Sequence, residues 1–161
     1  MTIEEYNQSV TLYADRLYRF VVKNVQDIHF AEDIVQDSFE KMWKNVKQIN
    51  GEKVKSYLFT TAYHTLIDRL RKEKRMSLTG ELPVREESYN FHNPDVMERL
   101  NEAVNKLPEI QRIVVTLRDY EGYSYQEIGE LTGLGESQVK VYIYRARLFL
   151  KNYIGKIDVL I

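Results

Sequence analysis

Ser137, Lys140, Val141, Tyr144 and Arg145 fall on one side of a helical stretch, residues 137–156, that holds Lys140, Arg145, Arg147, Lys151 and Lys156 and no acid. Donors set among apolar groups on one helix face can read base edges in a major groove. A second basic cluster, RLRKEKR at residues 69–75, has five basic residues against one acid. It follows Tyr57, Thr60, Thr61, Tyr63 and His64. Rings stack on any base while cations track phosphates, so this cluster suits unpaired bases. At 100° per residue, Tyr57, His64, Asp68, Arg71 and Arg75 lie opposite Leu58, Ala62, Leu66 and Leu70, with Lys72 beside them. A third set, Asp33, Gln36, Asp37 and Glu40, forms one polar face suited to a basic or polar protein surface. The two basic sets also have a plainer reading: a helical hairpin with a solvated basic face, and an ordinary basic helix end that favours its own dipole.

Enzymatic chemistry finds less support. His64 and Asp68 at i and i+4 could ligate a metal, but His29 and His92 lie in other segments, and no HExxH, Gly-rich phosphate loop or nucleophile elbow appears. The chain has no cysteine, hence no disulfide, thiol nucleophile or thiolate site. No metal, cofactor or catalytic residue is therefore expected.

These faces need helices to carry them. With 161 residues, 43% of them apolar and 29% charged, and only ten glycines and prolines together, the composition is that of one or two small helical domains. The net charge of −1 suggests no polyanion partner, but the clustering of positive charge outweighs it. The N-terminus lacks a basic-then-apolar leader and no run reaches the roughly 18 apolar residues of a membrane span, so a soluble, cytoplasmic protein is expected.

Apolar spacing predicts a first helix over 3–23 (Tyr6, Val10, Tyr13, Leu17, Phe20), a second over 30–46 burying Ile34, Val35, Phe39, Met42 and Trp43, and a third over 53–75. Between 76 and 94 periodicity stops and Gly80, Pro83, Pro94, Glu81, Glu86 and Glu87 accumulate, as in a flexible acidic linker. Asp95 and Glu98 then form a capping box for a fourth helix burying Val96, Leu100, Ala103, Val104 and Leu107, and Pro108 opens a fifth that ends at Gly122. Ser124 and Glu127 cap a sixth, closed by Gly133. A seventh starts at Ser137, with Val139, Ile143, Ala146 and Leu150 inward. Helices six and seven have helix-turn-helix spacing, with Gly129 where they must approach closely. The fold expected is all-α: domains at 1–75 and 95–161, joined by the linker at 76–94.

Three motifs in this order resemble the extracytoplasmic-function (ECF) sigma factors, small initiation subunits of bacterial RNA polymerase. AEDIVQDSFEKMW (31–43) resembles the polymerase-binding helix of that family, SYLFTTAYHTLIDRLRKEKR (56–75) its promoter-melting helix, and residues 107–151 its C-terminal helix-turn-helix. The resemblance implies that Asp33, Gln36, Asp37 and Glu40 contact the β′ clamp helices, with Phe39 and Trp43 as core. It implies a base-capturing loop at 45–55, with His64, Asp68, Arg71, Lys72 and Arg75 on the melted minus-ten strand. Ser137, Lys140, Val141, Tyr144 and Arg145 would read the minus-thirty-five element beside the β flap, and the linker would thread the RNA exit path. His64 stands where the family commonly has Asn, Tyr57 where Trp is common, and Gly129 where Ala is usual. The partners implied are core polymerase, promoter DNA and an anti-sigma factor. The contending readings are a stand-alone helix-turn-helix regulator and, more remotely, a helical metal-dependent enzyme.

Overall fold

The computed structural model describes residues 1–79 and 96–159, with Thr79 and the last four described by backbone alone. The described residues are helical and contain no strand. Contacts divide the chain into two compact units, Met1–Ser88 and Tyr89–Ile161.

In the first unit α1 (Ile3–Val25), α2 (Ile28–Lys44) and α3 (Val54–Thr79) pack on one another, and a 3-10 turn (Gly51–Lys53) leads into α3. A capping box starts α1: the Thr2 hydroxyl accepts from the Glu5 N–H at 3.1 Å and the Glu5 carboxylate accepts from the Thr2 N–H at 3.2 Å. α2 begins two residues before the periodicity predicts, because the Asp27 carboxylate caps the Phe30 N–H at 3.0 Å. Leu17, Phe20, Val21, Ala31, Ile34, Met42, Leu58, Phe59, Ala62 and Leu66 are almost fully buried and form the core. The buried hydroxyl of Ser38 is satisfied within its own helix, donating to the Ile34 carbonyl at 2.7 Å.

Three expectations change here. Trp43 is 47% exposed rather than core, because it lies edge-on to the half-buried Tyr6 ring (centroids 5.0 Å apart) at the end of α2 and leaves its far side open. Val10, on the expected stripe, is also exposed. α3 runs through the first four residues of the expected linker, since Met76, Ser77, Leu78 and Thr79 hold no breaker and Gly80 is the first. The rest of that linker, with Glu81, Glu86 and Glu87, lies outside the described residues, as does the expected cap Asp95.

The second unit comprises α4 (Val96–Lys106), α5 (Glu109–Val115), a π-helical turn (Thr116–Tyr120), α6 (Tyr125–Thr132) and α7 (Glu136–Val159). Pro108 is the residue before α5 rather than its first. The π turn keeps Thr116 and Leu117 both buried, and Gly122 leaves it with φ +74°. Ala103, Val104, Leu107, Ile113, Val115, Ile128, Val139, Ile143 and Ala146 build the core. Val96 shares the side of Ala103 and Leu107 but, as the first residue of α4, stays 70% exposed instead of buried.

Candidate nucleic-acid and polymerase interfaces

The turn between α6 and α7 is set by two glycines. Gly133 closes α6 in the left-handed region at φ +80°, its N–H donating to the Gly129 carbonyl at 2.8 Å. A Cβ on Gly129 would stand 2.9 Å from the Leu134 carbonyl oxygen, closer than side chains tolerate. The Ser124–Glu127 capping box fixes the other end of α6. α7 then places Val139, Ile143 and Ala146 inward within an arc of about 60°. Ser137, Lys140, Val141, Tyr144 and Arg145 remain on an exposed arc of about 140°, with Tyr144 68% exposed. The five expected readers thus share one open face.

Not all cations near this face are free. α7 starts at Glu136, one residue earlier than expected, and Glu136 lies 3.6 Å from the Lys140 ammonium. Lys140 also sits 5.7 Å from the centroid of Tyr125, whose ring lies 4.6 Å from Arg118. Arg147 forms a forked pair with Asp119 of the π turn, its Nε at 3.2 Å. The hydrogen bond to Asp119 is the main reason the Arg147 guanidinium holds its proton more tightly than usual. Sequence reading missed this partner because Asp119 is 28 residues away.

On α3, Leu58, Ala62, Leu66 and Leu70 are buried and His64, Asp68, Arg71, Lys72 and Arg75 are exposed, as the helical projection predicts. Asp68, Arg71, Lys74, Arg75 and Leu78 line one shallow depression. Tyr63 is 8% exposed, too buried against the core to stack on a base. Arg69 leaves the basic cluster too: its guanidinium lies 4.4 Å from the centroid of the Phe30 ring, and its Nε donates to Glu73 at 3.2 Å. In the loop before α3, Asn45, Lys47, Gln48 and Asn50 are exposed, and the Asn50 carbonyl side-chain oxygen accepts from the Glu52 N–H at 3.0 Å.

On α2, Asp33, Gln36 and Glu40 are exposed and Asp37 is half-buried. Asp37 pairs with Lys41 at 3.0 Å and Glu40 with Lys44 at 3.2 Å. Such exposed i,i+4 pairs are worth a few tenths of a kcal/mol, so a partner can displace them easily. Among the described residues no three His, Cys, Asp or Glu come together to hold a metal, and His64 and Asp68 stand without a third ligand. No described helix is long and apolar enough to cross a membrane.

A helix-turn-helix with an open face bearing Lys140 and Arg145, in one chain with a second basic helix, is the arrangement of a DNA-binding transcription protein. The family model for Sigma-70 region 2 matches residues 10–76 and that for Sigma-70, region 4 matches residues 97–150. The chain is 30% identical over 156 residues to the ECF RNA polymerase sigma factor SigM of Bacillus subtilis (strain 168), covering 94% of each chain. It is 29% identical to the RNA polymerase sigma factor SigV of the same strain, covering 92% of this chain and 90% of that one. In fold it matches the sigma factor RpoE solved with the anti-sigma factor NepR from Bartonella quintana, with TM-score 0.80 and 22% identity over 95% of this chain and 98% of that one. CnrH, solved with the cytosolic domain of CnrY, matches with TM-score 0.66 and 21% identity over 94% and 88%. The chain belongs to the ECF family of RNA polymerase sigma factors and is an alternative sigma factor that serves transcription initiation.

Proposed function

We propose that the two units divide the work of initiation between them, with the docking and melting surfaces within 1–75 and the reading surface within 95–161. Asp33, Gln36, Asp37 and Glu40 on α2 dock on the β′ clamp helices of core polymerase. His64, Asp68, Arg71, Lys72 and Arg75 on α3, with the exposed loop before it, engage the melted minus-ten strand. Ser137, Lys140, Val141, Tyr144 and Arg145 on α7 read the minus-thirty-five duplex beside the β flap, and the stretch from 76 to 94 connects the two along the RNA exit path. The chain has no catalysis of its own; bond formation belongs to the polymerase, and it works in the cytoplasm with that enzyme. An anti-sigma partner follows by analogy with the RpoE that was solved bound to NepR.

One observation carries this reading. Each helix turns an apolar stripe into its own unit's core and leaves the complete expected contact set outward, 14 residues on three helices, of which Asp37 alone is half-buried. Site-specific photocrosslinkers at Gln36, His64 and Tyr144 in reconstituted holoenzyme on promoter DNA test it. Crosslinks to β′, to the opened strand and to the upstream duplex, respectively, are expected; a Gln36 adduct on DNA, or a Tyr144 adduct confined to protein, contradicts the assignment.

A further inference from the structure

We propose that Arg69 is a positioning residue for promoter opening: it locks the distal half of α3 to the N-terminus of α2, so that the strand-contacting face of α3 is held in a fixed attitude to the helix that docks on polymerase. This rests on the assignment of α2 and α3 given above.

Three groups hold Arg69, one of them on α2 and another the N-cap of α2. Its guanidinium stacks 4.4 Å from the centroid of Phe30, and its terminal nitrogen lies 4.0 Å from the Asp27 carboxylate. That same carboxylate caps α2 through the Phe30 N–H at 3.0 Å. The third is Glu73, one turn along α3, 3.2 Å from the Arg69 Nε and only 7% exposed.

The projection shows what this seam replaces. Going down α3, the inward stripe of Leu58, Ala62 and Leu66 continues through Arg69 and Glu73, roughly 120–180° round the helix from His64, Arg71 and Arg75. Arg69 therefore faces α2 while Asp68, Arg71 and Lys72 face outward. Apolar contacts tolerate sliding, whereas a guanidinium stacked on Phe30, hydrogen-bonded to the buried Glu73 and facing the charge of the Asp27 cap fits one register. The cap of the docking helix and the melting helix consequently share one charge-paired joint. Rigid placement of α3 matters most when unpaired bases must be gripped, and less when α2 alone binds core.

Holoenzyme reconstituted with the full chain provides the test, at a temperature where circular dichroism shows every variant folded. Arg69→Met removes the joint; Asp27→Asn keeps the cap, Asn being as good an N-cap as Asp, and removes only the charge facing Arg69. Both should bind core polymerase as the unsubstituted chain does. With core saturated, permanganate-reactive thymines should fall about tenfold with Arg69→Met, and in the same direction but less with Asp27→Asn, and the double variant should be no worse than Arg69→Met. The salt dependence of promoter binding should be unchanged. Full opening by Arg69→Met would overturn the proposal. So would normal opening by Asp27→Asn combined with a salt slope reduced by about one in Arg69→Met, since that would make Arg69 a direct phosphate contact. If the unsubstituted chain neither binds core nor opens DNA, it is the assignment of α2 and α3 that fails.

Discussion

Gly129 presses its Cα face against the carbonyl oxygen of Leu134, leaving 2.9 Å for any Cβ, while Gly133 between them holds φ +80°. The angle at which α7 leaves α6, and so the aim of its exposed face, depends on that approach. Gly129→Val adds a branched side chain against backbone that cannot retreat without reshaping the turn. It should destabilise the second unit by about 2–3 kcal/mol, read as a lower midpoint in urea unfolding of that unit, with the first unit's transition unmoved.

Lys140 and Arg145 lie on the exposed arc of α7, opposite Val139 and Ile143. Lys140→Ala and Arg145→Ala should each weaken promoter occupancy by holoenzyme, by about 1–3 kcal/mol where the lost group meets a base edge. Core binding should be retained, because neither residue is on the docking face. Unchanged occupancy in both variants would reduce α7 to a solvated basic helix.

Asp37 is half-buried on α2 and pairs with Lys41. Asp37→Lys reverses the charge at the centre of the acidic face and sets two like charges one turn apart, a cost of a few tenths of a kcal/mol to the helix. The variant should stay folded and lose core affinity, measured by fluorescence anisotropy of labelled chain. Undiminished affinity in a folded variant would remove this face from the docking surface.

The Tyr6 hydroxyl donates to the Phe39 carbonyl at 3.2 Å, and burial pushes its pKa above the ordinary 10.0. The unfolded chain therefore gives up this proton before the folded one does. The stabilisation is present in full below the unfolded value and is lost as pH rises past it. The first unit should lose stability above about pH 10, and Tyr6→Phe should flatten that loss while costing about 1 kcal/mol at neutral pH. Trp43, the only tryptophan, lies against Tyr6 and reports the transition by fluorescence.

Much of this was legible in the chain, for local reasons. Helix faces follow from spacing, so α2, α3 and α7 turn out the expected residues, and the Ser124–Glu127 box and Gly133 stand where their chemistry requires. Departures came where a partner is distant in sequence or a residue ends its helix. Arg69 and Arg147 look like members of basic clusters until Phe30, Asp27 and Asp119 are brought to them by tertiary packing. Trp43 and Val96 have core character but lie at helix ends, where the neighbouring helix covers less of them. Asp27 could have been recognised as a cap, standing three residues before the Phe30 N–H it satisfies.

The central claim is that this chain acts through core polymerase, not alone. Its charge is split between small basic faces, its net charge is −1, and the α3 face suits bases that a closed duplex does not offer. The most direct measurement is permanganate footprinting with transcript analysis on promoters from its own genome, with the chain alone, core polymerase alone and the two together. Reactive thymines and specific transcripts should appear only in the mixture, with no tight specific footprint from the chain alone. A tight sequence-specific footprint by the isolated chain, with no opening or transcript when core polymerase is added, would contradict the account and identify a stand-alone helix-turn-helix regulator.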